Sequence, residues 1–179
     1  ALLRSLVGSE MCIRDSINIS YFFLICININ GNIMLDENDK LTTPLPLPYN
    51  GEIYSVEFLD NFIDKSIKDG KQPILIFGAN WCPDCIILHQ ITLIPQMAKF
   101  INENFELIYV DVGDYRDGSE PKNKQILLNY GIVELEGVPT IVVLSKDLKV
   151  LNKDSSTQWR NARERQPSEF YFYLNNFLS

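Results

Sequence analysis

Pro73-Ile74-Leu75-Ile76-Phe77-Gly78-Ala79-Asn80-Trp81-Cys82-Pro83-Asp84-Cys85 is the stretch from which the fold is read. Its first part is a short continuous apolar run, the pattern of a strand covered on both faces in a parallel sheet. The run leads straight into two cysteines three residues apart, and Pro83 suits the first turn of a helix. Beyond it, Ile86, Ile87, Leu88, Ile91 and Ile94 continue a largely apolar helix, which Pro95 kinks or restarts and which is expected to last to about Asn104. Leu107, Ile108, Tyr109 and Val110 open a second buried strand over 107–112. A strand–helix–strand unit of this length favours parallel pairing with a right-handed crossover.

Working outward, Phe58, Leu59, Phe62, Ile63 and Ile67 fall at helical spacing over 55–68, and Gly70 follows as a stop signal. On the other side a polar loop, 113–120, leads to a helix expected over 121–130 and stopped by Gly131. Residues 140–144 and 149–151 read as two strands of a hairpin. Phe170, Tyr173, Leu174, Phe177 and Leu178 then repeat at the spacing of one helix face after Pro167, with Ser168 as the capping candidate.

A cysteine in the first turn of a helix meets unpaired backbone N–H groups and the positive end of the helix dipole, and both favour the thiolate. From a free value near 8.5, such cysteines ionise at roughly 3.5–7.5. The thiolate attacks a disulfide, and a second cysteine one helical turn on can resolve the mixed disulfide. Cys82 is therefore the expected attacker and Cys85 the resolver, with Cys85 the deeper of the two. The same spacing also makes half a zinc site, but no second pair exists to complete four ligands.

The run Gly78-Ala79-Asn80-Trp81-Cys82-Pro83-Asp84-Cys85, followed some fifty residues later by Gly137-Val138-Pro139-Thr140, resembles the thioredoxin superfamily. More narrowly it resembles bacterial thioredoxin-like proteins with the same motif, over about residues 54–179. The resemblance implies an α/β thioredoxin fold, a central mixed β-sheet flanked by helices, here with an N-terminal extension. It implies a thiol–disulfide oxidoreductase with Cys82 and Cys85 as the catalytic pair. It further implies that Pro139 is a cis proline facing the cysteines, that the Val138 backbone pairs with an incoming peptide, and that Trp81, Pro83 and Asp84 line the substrate rim. Two positions depart from the family pattern. Ile76 stands where the family carries a buried aspartate that helps move the resolving cysteine's proton, and Tyr109 replaces the accompanying strand lysine, leaving water or Asp84 to take that part. The Asp84 charge suits the helix dipole yet opposes a nearby thiolate, so its net effect on Cys82 has no sign from sequence.

Other residues offer weaker chemistry. His89, the only histidine, lies four residues after Cys85, so a copper site of Cys82, Cys85 and His89 is the metal reading, set against a solvated or packing histidine. It underlies the alternative function, a thioredoxin-fold binding module or copper protein with redox-idle cysteines. Trp159, Arg160 and Arg163 cluster before the last helix and read as solvated or capping residues. Asp111, Asp114 and Asp117 lack the glutamate of a calcium loop.

The chain has 179 residues, 46% of them hydrophobic, enough for one domain with extra length at an end. A net charge of −7 disfavours nucleic acid as a partner. Residues 1–16 read as a translated sequencing adapter, on which reading Cys12 is foreign to the protein. Residues 17–35 read as a truncated signal peptide or anchor built on an apolar run that ends at Ile27, with a buried strand as the competing assignment. Residues 36–53, with Pro44, Pro46 and Pro48, read as an extended linker to a domain at 54–179. The expectations that follow are a monomer with no bound cofactor or metal, exported to the periplasm or else cytoplasmic. Its partners are protein or small-molecule disulfides and thiols, an unidentified redox partner, and membrane only through the N-terminal apolar segment.

Overall fold

The computed structural model describes residues 44–178. The readings for 1–16 and 17–35, and for residues 36–43 of the linker, lie outside the described residues. Within them the order is α1 (Val56–Lys68), β1 (Gln72–Gly78), α2 (Pro83–Leu93), α3 (Pro95–Asn104), β2 (Phe105–Asp111), α4 (Lys124–Asn129), β3 (Thr140–Val143) and α5 (Pro167–Asn175). None of these helices is long and apolar enough to cross a membrane.

The apolar run over 73–77 becomes the middle of the sheet. Its order is β2-β1-β3, with β1 parallel to β2 and antiparallel to β3. Strand alternation sends Leu75 and Phe77 to one face, against Leu59 and Ile63 of α1 and Ile126 and Leu127 of α4. Ile74 and Ile76 go to the other, against Leu88 and Ile91 of α2, Met97 and Ile101 of α3, and Phe170 and Leu174 of α5. Burying each such side chain stabilises by about 1.5–3 kcal/mol. Ion pairs such as Lys65–Asp69 and Lys99–Glu103 join exposed, solvent-screened side chains and contribute little. The two covered faces of the sheet hold the fold.

Several boundaries follow the local chemistry expected of them. Ser55 Oγ accepts from the Phe58 N–H at 3.0 Å to cap α1, and Gly70 takes the left-handed conformation (φ 79°) just past its end. Pro95 separates α2 from α3, with Ile94 extended between them.

Three expectations need correction. The helix expected over 121–130 shrinks to α4, because Asn123 adopts φ 56° and its side-chain amide is engaged elsewhere: it donates to the Glu52 and Asp111 carbonyls and accepts from the Tyr54 N–H. The second hairpin strand is reduced to a single bridge between Leu144 and Val150, past a turn in which Leu148 has φ 63°. The cap of α5 is Gln166 rather than Ser168, its N–H bonded at 2.9 Å to the Glu169 carboxylate.

The outer side of β3 is completed by a loop. Asn152 donates to the Ile141 carbonyl and accepts from the Val143 N–H, each at 2.8 Å. Ser156 O accepts from Ile141 N–H, and Val143 O accepts from Leu151 N–H. Asn152 is 2% exposed, and its amide also reaches the Tyr173 hydroxyl.

Candidate active site

β1 ends at Gly78, and the chain turns through Ala79, Asn80 and Trp81 into the N-terminus of α2. The turn is closed by the Cys82 N–H donating to the Ala79 carbonyl at 3.1 Å. Cys82 is itself the N-cap of α2: its backbone is extended and its sulfur accepts from the Cys85 N–H at 3.3 Å. The orphan donors of a helix start thus face the Cys82 sulfur.

The two thiols are free and both buried, Cys82 at 4% exposure and Cys85 at 1%. Their environments push them apart. Cys82 is lowered to about 7, first by the hydrogen bond from the Cys85 thiol and then by the Cys85 and Asp84 backbone N–H groups, against burial and the Asp84 charge. Cys85 is pushed up, chiefly by burial and then by its bond to Cys82 and that sulfur's charge. One sulfur is held ready as an anion and the other retains its proton.

The loop before β3 closes the site. The Val138–Pro139 peptide bond is cis, both residues are buried, and the Val138 carbonyl lies 3.5 Å from Cys82 Sγ as the acceptor of its thiol. Arg160 packs against this loop, pairing with Glu136 at 3.6 Å; a Cβ on Gly137 would stand 3.3 Å from Arg160 Nε. At the rim, Trp81 is half-buried, its indole N–H donating to the Gly113 carbonyl at 2.8 Å, with Tyr115 edge-on and the Arg116 guanidinium 4.4 Å above the ring. Pro83 is exposed in the first turn.

Asp84 is buried, and its carboxylate accepts from Arg163 twice, at 2.9 Å from the backbone N–H and 3.1 Å from Nε. This answers the question of its sign. Its charge does oppose the Cys82 thiolate, while Arg163 offsets that charge and itself lies within electrostatic reach of Cys82. Both bonds from Arg163 fall on Asp84 Oδ1. Of the residues read as solvated here, Arg163 is exposed but Trp159 is fully buried, edge-on to Phe170 and Tyr173, with Ala162 buried beside it.

His89 packs edge-on against Tyr109, 4.9 Å between rings, and burial lowers its pKa. Among the described residues no three His, Cys, Asp or Glu side chains converge where they could hold a metal ion. Tyr109, in the place of the family lysine, bonds Thr92 Oγ1 at 3.0 Å. The three aspartates of the following loop serve local turns: Asp111 accepts from Gly113 N–H, Asp114 pairs with Arg116, and Asp117 accepts from Ser119 N–H.

Two residues near the cysteines escaped the sequence reading. Asn80 Oδ1 accepts from the Tyr49 N–H at 3.1 Å, and its Nδ2 donates to the Tyr49 carbonyl at 2.6 Å, clamping the residue onto the turn. Tyr49 is 4% exposed and belongs to the core around the cysteines, although the segment from 45 to 55 forms neither helix nor strand. Position 49 carried one available signal: an aromatic residue in an otherwise polar and proline-rich tract.

With that geometry in place, comparison with known proteins decides the family. The Thioredoxin-like domain model matches residues 59–167. The chain belongs to the thioredoxin-like family. Among solved structures, this thioredoxin-like chain is similar to a disulphide isomerase from Xylella fastidiosa Temecula1, at 26% identity and a TM-score of 0.62, over 73% of this chain and 98% of that one. An HIV epitope scaffold (17% identity, TM-score 0.36, 68% and 84% coverage) and a protein of unknown function from Pseudomonas aeruginosa (16%, 0.35, 66% and 81%) also align. No curated protein matches. At the level of the family, the function is that of a thiol–disulfide oxidoreductase.

Proposed function

We propose that this protein exchanges disulfides with protein or small-molecule thiol substrates through Cys82 and Cys85. The observation that carries the reading is the unequal state of two neighbouring sulfurs: Cys82 lowered to about 7 at the start of α2, and Cys85 raised behind it. The similarity to a disulphide isomerase supports the same class of chemistry.

In the reducing direction, the Cys82 thiolate attacks a substrate disulfide RS–SR′. A Cys82–SR bond forms and R′S⁻ leaves, taking up the proton that Cys85 gives away. The Cys85 thiolate then attacks Cys82 Sγ, the Cys82–Cys85 disulfide forms, and RS⁻ leaves to be protonated by water. The substrate gains two electrons and the cysteine pair loses two. A substrate chain running along Val138 brings its disulfide over Cys82, whose sulfur lies 3.5 Å from the Val138 carbonyl. Trp81 and Pro83 supply the apolar rim, and a separate redox partner recharges the pair. The N-terminal apolar run favours export to a bacterial periplasm, where such a pair meets disulfides.

Reduction of insulin, followed by turbidity, tests the reading. Cys82→Ser is expected to abolish turnover, and Cys85→Ser to leave the enzyme trapped as a mixed disulfide visible by intact mass. Wild-type rates in both variants overturn the assignment.

A further inference from the structure

Cys85 must lose a proton before it can attack, yet it is buried among apolar groups. Ile76, on the neighbouring strand, offers no polar atom, and its side chain packs with Leu88 and Ile91 on the other face of the sheet. What does stand beside the Cys85 sulfur is the Tyr49 hydroxyl. A Cβ built on Gly78 would lie 2.8 Å from Cys85 Sγ and closer still to Tyr49 Oη, so the missing side chain at Gly78 is the space in which the two meet.

Tyr49 is held there from three directions. Asn80 clamps its main chain on both sides, as described above. Its ring sits edge-on to Tyr109, 5.7 Å between centroids, and Asn123 ties the following residues down through the Glu52 carbonyl and the Tyr54 N–H. The hydroxyl itself is buried and makes no hydrogen bond of ordinary geometry with the cysteines in their thiol form. Leaving a buried hydroxyl unpaired costs about 1–3 kcal/mol. A hydroxyl fixed this firmly, with no acceptor in the resting state, fits a site whose acceptor appears during the reaction.

The titratable groups facing Tyr49 are Cys82 and Cys85 on the turn into α2 and Tyr109 on β2. Burial, foremost, and the charges of these neighbours push the phenol well above its ordinary 10.0, so it keeps its proton. It can donate and not accept a proton from a thiol. For Cys85, the groups that favour ionisation are the Ala79 backbone N–H and the Tyr49 hydroxyl, against burial and Cys82.

We propose that Tyr49 donates a hydrogen bond to the Cys85 sulfur as that sulfur becomes a thiolate, and so promotes resolution of the Cys82 mixed disulfide. The inference rests on the oxidoreductase reading above. The phenol keeps its proton throughout; the Cys85 proton goes to the departing R′S⁻ as written there, and Tyr49 stabilises the anion left behind. The N-terminal segment thereby takes part in the second half of the exchange.

Ellman's reagent, 5,5′-dithiobis(2-nitrobenzoate), tests this in a single stopped-flow trace. Attack by Cys82 releases one coloured thiolate, and resolution by Cys85 releases a second, so the two steps appear as successive phases. Tyr49→Phe retains the ring and removes the hydroxyl. The expected result is a first phase within twofold of the wild type, which also reports that the variant is folded, and a second phase slowed roughly tenfold or more, with its pH profile moved to higher pH. A second phase unchanged in rate and pH profile overturns the proposal, as does a wild-type trace with no second phase. A first phase that slows as much as the second also overturns it, since Tyr49 is then a packing residue for the whole turn. If both phases behave as expected but insulin is not reduced, the broader reading fails and the role of Tyr49 toward Cys85 stands.

Discussion

Two irregular segments reach the cysteine turn from opposite ends of the described chain. Residues 44–54 lie with the core on one face of the sheet and bring Tyr49 to Cys85; residues 159–163 lie with the core on the other and bring Arg163 to Asp84. The first delivers a neutral hydroxyl to the sulfur that must give up a proton. The second delivers a cation to the carboxylate beside the sulfur whose pKa is lowered to about 7. Strand β1 and helix α2 hold the two cysteines one turn apart, and burial, the bond between the sulfurs and the backbone N–H groups at the start of α2 make them unlike, while the two loops act on the neighbours of each sulfur. The regular framework supplies proximity and the unequal sulfurs, and the irregular segments bring a hydroxyl and a cation up to them.

The contrast can be broken at its anchors. Trp159 is the largest fully buried side chain and fixes the second segment, so Trp159→Ala is expected to cost about 3–5 kcal/mol in chemical denaturation and to release Arg163 from Asp84. Gly78→Ala acts on the first segment: the added methyl displaces the Tyr49 hydroxyl, at a cost of about 1–3 kcal/mol, and slows the second Ellman phase as Tyr49→Phe does. A Gly78→Ala protein with unaltered resolution would separate that close approach from the chemistry.

The smallest effect sharpens the other half. In the wild type, alkylation of Cys82 by iodoacetamide should be half-maximal at about pH 7, falling tenfold per unit below it as the thiolate is protonated. Arg163→Gln removes the cation that offsets Asp84, so the midpoint should move up and the rate at pH 7 should fall by a few fold, with fold stability little changed because the Arg163 side chain is 59% exposed and the backbone N–H of residue 163 still bonds the carboxylate. Resolution by Cys85 should not respond to this variant.

Much of the framework was legible in the residues. An apolar run ending in a cysteine pair, followed by Pro83 and an apolar helix, specifies strand, turn and helix from local pattern alone, and Ser55 and Pro95 mark boundaries by chemistry that acts within a few residues. What was not legible is long-range. Tyr49 follows three prolines and so reads as part of a tether, and nothing in its neighbourhood points to Asn80, 31 residues away. Arg163 sits in a 3-10 turn, Ala162–Glu164, too short to show periodicity, and its partner Asp84 lies 79 residues earlier. Trp159 looked solvated because its neighbours are polar, although its own size made burial the lower-energy outcome. The helix cut short at Asn123 has the same origin, a side chain whose three distant bonds outweigh the local preference to continue.

Asn152 also bears on how the sheet meets other chains. It takes up the Ile141 carbonyl and the Val143 N–H, and with Ser156 O and the Leu151 N–H on the remaining two groups, Ile141 and Val143 have nothing to offer a foreign strand. A bare margin here would invite extended peptides to add on and seed aggregates. Asn152, the Ser156 carbonyl and the Leu151 N–H together seal that margin, so extended polypeptide is turned away from β3.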